Sequence, residues 1–182
     1  MSHAIQDPRE AAGRCSLITV GFRGMTRFHK HDAAKAQLQT AVSMFLAGRD
    51  RSSVITLAGA ASGILDELVR RSNQETFLDY ARRVQRELSG ETPRRSAYSH
   101  HINTRIGVIA HKHLWADDSE TIELDLDEQA ASALGRAIAN YITLNGEKEP
   151  FVRAFLSWSW HNQDGPRLME HYREVPERLK PK

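Results

Sequence analysis

The chain has one cysteine, Cys15, among 182 residues. That excludes an intrachain disulfide and any thiolate metal cluster, and a reducing, cytoplasmic setting is expected. Long apolar runs are also lacking, since no stretch approaches the roughly 18 consecutive apolar residues of a membrane span. The N-terminus has neither the apolar core nor the cleavage pattern of a secretory signal, so no membrane partner is expected. An excess of one charge is missing too, because 25 Lys and Arg face 23 Asp and Glu for a net charge of +2. Bulk charge does not mark a nucleic-acid binder, and any phosphate site has to be local. There is no internal repeat and no low-complexity tract.

What the chain does have is apolar periodicity, with 40% apolar residues and a length that suits one domain. Residues 1–31 mix Pro8, Gly13, Gly21 and Gly24 with scattered Arg and His, and read as a flexible basic arm. From Asp32 onward, Ala34, Leu38, Ala41, Val42 and Phe45 recur at helical spacing, and Gly48 stands where a C-terminal cap belongs. Ser52 or Ser53 is the expected N-cap of a second helix, whose stripe from Val54 to Leu68 ends at Arg70 and Arg71. Its middle, Ala58-Gly-Ala-Ala-Ser-Gly63, has little bulk and predicts close approach of a neighbouring helix.

Phe77, Tyr80, Ala81, Val84 and Leu88 define a third helix that stops before Ser89-Gly90. A fourth should begin near Ser96 and run into a histidine-rich segment. The alternation of Thr121 to Leu126 predicts a short extended segment near 120–126. Asp127 is the expected cap of a fifth helix ending at Asn145-Gly146, and Pro150 opens an amphipathic piece to Trp160. Residues 161–182 read as irregular or weakly helical. The expected fold is all-α, a single bundle of about five to six helices over residues 32–160.

The chemistry concentrates between Ser99 and Asp118, where His100, His101, His111 and His113 accompany Arg105 and Lys112. Histidine exchanges protons near neutral pH and arginine grips phosphate with a fixed fork of donors, a combination suited to phosphodiester chemistry. If residues 97–113 form one helix at about 100° per residue, Ile102, Ile106 and Ile109 share a core stripe that His113 extends. His113 is then a partly buried histidine. His101, Arg105 and Lys112 share a basic stripe suited to phosphate, and His100, Thr104 and His111 lie on the opposite flank. The two histidine pairs would stand roughly 15 Å apart, so one metal cannot bridge all four. A pair formed by His111 and His113 with Asp117 or Asp118 keeps a metal-hydrolase reading alive if the helix ends early. Trp115, Trp158 and Trp160 read as core and interface.

Arg105-Ile-Gly-Val-Ile-Ala-His111 resembles the Arg-x4-6-His motif of the HEPN superfamily. Ala33-Ala-Lys-Ala-Gln-Leu, Thr56-Leu-Ala-Gly-Ala-Ala and Lys112-His113 followed by Asp-Asp-Ser-Glu-Thr-Ile-Glu-Leu are similar to a group of uncharacterised bacterial proteins. The resemblance implies a small helical bundle, often a homodimer, that cleaves RNA without a metal or other cofactor. It also implies that histidine takes the ribose 2′-hydroxyl proton while arginine steadies the phosphate. On one helix Arg105 and His111 would be roughly 9 Å apart, which favours a site shared across a dimer axis. The expected catalytic residues are Arg105, His111 and His113, and the expected phosphate binders are His101, Arg105 and Lys112, with RNA as partner. The competing expectation is a non-catalytic, dimerising interaction or adaptor protein with a protein partner.

Overall fold

A computed structural model describes residues 27–114 and 119–181. Most of the expected N-terminal arm, with Cys15, and also Trp115, Asp117 and Asp118 lie outside the described residues. The described chain is helical, with α1 (Lys30–Leu46), α2 (Arg51–Arg71), α3 (Phe77–Ser89), α4 (Arg95–Arg105), α5 (Leu126–Asn145), α6 (Pro150–Asn162) and α7 (Gly165–Glu174). A short 3-10 turn, Glu177–Leu179, follows. The count of five to six helices is corrected to seven among the described residues. The additional one is α7, which starts where Asp164 at φ 51° breaks the backbone and its carboxylate accepts from the Arg167 N–H.

Local chemistry sets the helix ends. Gly48 at φ 65° lets its own N–H reach Phe45 O and the Arg49 N–H reach Met44 O, which closes α1 in a Schellman motif. The cap of α2 is Asp50 rather than Ser52 or Ser53, and its carboxylate accepts from the Ser53 N–H at 2.7 Å. Thr76 and Asp79 cap α3 together: the Thr76 hydroxyl accepts from the Asp79 N–H at 3.0 Å and donates to the Asp79 carboxylate at 2.9 Å. The expected extended segment near 120–126 is not a strand. Residues 119–125 are irregular, and Asp125, not Asp127, caps α5 by accepting from the Glu128 N–H. Asp127 instead meets Arg51 at 2.6 Å.

The core forms where α2 and α5 cross, with α1 and α6 packed alongside. Leu38, Val42 and Phe45 meet Val54, Ile55 and Leu65 of α2 and Leu134, Ile138 and Tyr141 of α5; α6 adds Phe151, Val152 and Phe155. Burial of this apolar surface is the main stabilising term. The helix α2 is long and apolar enough to cross a membrane by length and composition alone. Its position at the centre of the bundle accounts for that character. Trp158 stands edge-on to Phe45 at 4.6 Å, as a core residue should, while Trp160 is 46% exposed.

The helix α4 is the exception, because none of its residues is fully buried. Polar contacts dock it instead. Arg95 reaches Asp66 of α2 and Asp79 of α3, and Asn103 accepts from Arg136 of α5 at 2.6 Å. A helix held by ion pairs need not sit flush on its neighbours, and a pocket opens beneath it.

Candidate functional site

The single helix expected over residues 97–113 does not form, since α4 ends at Arg105 and residues 106–112 turn. Gly107 explains the break. It adopts φ 74°, which L side chains rarely adopt, and a Cβ there would fall 2.1 Å from Gln129 Oε1. The turn buries Val108 against Gly59 of α2 and carries Lys112 and His113 back towards α2.

The break redistributes the expected site residues. Lys112 and His113 line a pocket of about 540 Å³ between α2, α4 and α5, with His100, Arg95, Asp66, Asn103 and Arg136 also on its wall. Arg105 does not share it. That residue lines a separate pocket of about 420 Å³ with Ile102, Ile106, Gln129 and Phe155, and Arg136 borders both. His111 turns elsewhere, and its Nδ1–H donates to Gly107 O at 2.7 Å. It lies close enough to Asp50 to help hold that carboxylate below the usual range, a shift caused chiefly by the Ser53 hydrogen bonds. His101 is exposed and stacks on Tyr98 at 6.3 Å. His113 is exposed rather than partly buried, because the stripe it was to extend ends with the helix. Arg105 and Lys112 therefore line different pockets, and neither of those pockets is lined by His101 or His111.

Arg136 is the group that sequence reading missed. It is only 6% exposed, its Nη1 donates to Asn103, and its buried Nε has no hydrogen-bond partner among the described residues. Burial pushes its pKa below the usual arginine range, with the Asp66 carboxylate opposing the shift and Arg95 adding to it. Lys112 is held below the ordinary lysine range by burial first and then by Arg136. Asp66 gives one oxygen to Arg95 and buries the other without a partner. The wall thus carries three cations, Arg95, Lys112 and Arg136, against one carboxylate, with His100 and His113 beside them. Such a surface attracts an anion and supplies donors for its oxygens.

A pH dependence follows from Lys112. Its charge is lost as pH rises through its depressed pKa, so anion affinity should fall at a pH below the ordinary lysine value of 10.5. Titration calorimetry with inorganic phosphate across alkaline pH measures this, and Lys112→Arg should move the fall to higher pH.

A cavity of about 1130 Å³ between α3 and α5 offers less chemistry. Its acids are already engaged, Glu75 by Arg83 and Asp79 by Arg82 and Arg95. Among the described residues no three His, Cys, Asp or Glu side chains converge as a metal-binding group. Comparison with protein-family models, curated proteins and solved structures finds no match to this chain.

Proposed function

We propose that the chain binds the phosphodiester backbone of RNA in the cationic pocket beneath α4 and cleaves it without a metal. The observation that carries this reading is the wall on which the nearly buried Arg136 stands with Lys112 and Arg95 against one carboxylate. A largely desolvated guanidinium is costly alone and favourable against a phosphate oxygen. His100 and His113 on the same wall provide the proton transfers. One imidazole accepts the ribose 2′-hydroxyl proton as O2′ attacks phosphorus. The other, protonated, gives its proton to O5′ as the P–O5′ bond breaks. The products are a 2′,3′-cyclic phosphate and a 5′-hydroxyl. Arg136 and Lys112 offset the charge that develops on the non-bridging oxygens.

These groups come from one chain, so the chemistry needs no second protomer. A homodimer sharing Arg105 and His111 across its axis is the alternative arrangement. Single-stranded RNA incubated with the full chain in EDTA is expected to end in cyclic phosphates. His100→Ala and His113→Ala should each slow cleavage at least about tenfold, with Arg105→Ala within about twofold of the parent. The opposite pattern, with Arg105→Ala and His111→Ala inactive, would return the site to the dimer-shared motif. No cleavage by the parent chain would favour the non-catalytic interaction reading. Exposed Leu156, Trp160, Leu168 and Met169 on α6 and α7 support that second reading.

A further inference from the structure

Two glycines stand four residues apart on α2, and only one is explained by packing. A Cβ on Gly59 would lie 2.7 Å from Val108 Cγ1, so the turn after α4 requires glycine there. Among the described residues a Cβ on Gly63 would meet nothing within 4 Å, and its φ is not in the left-handed region. Glycine inside a helix is a cost that alanine avoids. Among the described residues neither a neighbour nor backbone geometry accounts for it at position 63.

Gly63 does have a distinctive place. With Gly59 and Lys112 it lines both the cationic pocket and a second pocket of about 380 Å³ on the adjoining face of α2. That second pocket is lined by Ala60, Ile64 and Leu68, spaced i, i+4 and i+8, so they form one apolar strip about 12 Å long. The acid beside it, Glu67, is engaged by Arg70 and Arg71. The cationic pocket, walled in part by the nearly buried Arg136, thus adjoins an aliphatic strip across Gly59 and Gly63.

We propose that the two pockets form one nucleotide-binding cleft, with phosphate against Arg136 and Lys112, the base on the Ala60–Ile64–Leu68 strip, and Gly63 as the passage between them. This rests on the phosphate reading above and adds the subsite that recognises the rest of the nucleotide. An aliphatic floor takes the face of any base, so it favours nucleotides over inorganic phosphate without selecting a sequence.

The test is calorimetric binding of inorganic phosphate and of adenosine 3′-monophosphate to the full chain. The nucleotide is expected to bind about tenfold more tightly than phosphate. Gly63→Leu should erase that advantage by closing the passage. Leu68→Gln, at a partly exposed position that lines the strip and not the cationic pocket, should erase it too and leave phosphate affinity unchanged. Equal affinity of the parent chain for the two ligands, or parallel loss of both in Leu68→Gln, overturns the cleft and leaves the phosphate pocket standing. Failure of the parent chain to bind either ligand overturns both.

Discussion

Arg136→Met is expected to weaken inorganic phosphate binding by about 100-fold and to leave the thermal midpoint within a few degrees of the parent. Hydrogen bonds to charged groups are worth about 1.5–3 kcal/mol each, and about 1.4 kcal/mol corresponds to a factor of ten. Removal of the most buried cation of the pocket therefore reaches two decades once its charge is counted with its donors. The fold behaves differently because Arg136 is a mixed contributor to it. It secures Asn103 of α4 at 2.6 Å, yet it buries a guanidinium whose Nε has no partner. Methionine keeps the apolar stem and removes the desolvated charge, an exchange that is often neutral or stabilising. Asp66 keeps its pairing with Arg95, so no isolated carboxylate is left behind. Calorimetric titration and thermal unfolding of the same preparation give both quantities. Retained phosphate affinity with a large drop in midpoint would make Arg136 a structural anchor for α4 and remove the basis for the pocket.

How far this site was legible in the sequence depends on which physical signal each residue carries. The ends of α1 and α3 were readable because Gly48 and Gly90 follow apolar periodicity directly, and both adopt positive φ. The end of α4 was not. Ile106 and Ile109 continue the helical spacing past Arg105, so periodicity runs straight through Gly107, where the backbone turns at φ 74°. With the helix ended at Arg105, that residue lines a different pocket from Lys112 and His113. The chemical types were readable: Lys112 and His113 were picked out by the density of basic groups. Their partners were not, because Arg136 looks like the polar face of an amphipathic helix. Its signal lay in its neighbours, since Ala133, Ala137 and Asn140 follow helical spacing around it and α5 is buried on nearly every side. A charged residue within such a run is where a sequence reader should expect a buried, functional group.

The glycine pair on α2 gives the largest expected contrast in stability. Gly59→Leu is expected to destabilise the chain by about 3 kcal/mol, because the side chain must displace Val108, which is 4% exposed and fixed by the turn. At this size that corresponds to a fall of roughly 6–12 °C in the thermal midpoint. Gly63→Leu should do the reverse and raise the midpoint by roughly 1–3 °C, since helix propensity improves and no neighbour obstructs a Cβ. Gly59→Leu carries a consequence for binding as well. Displacing Val108 moves the turn that carries Lys112, so Gly59→Leu should weaken phosphate binding along with the fold. Position 63 leaves that turn in place. Thermal unfolding of the two variants, read beside phosphate titration, checks both halves. Equal destabilisation by both would mean that Gly63 packs against something as Gly59 does, and the open passage beneath α4 would have to be abandoned.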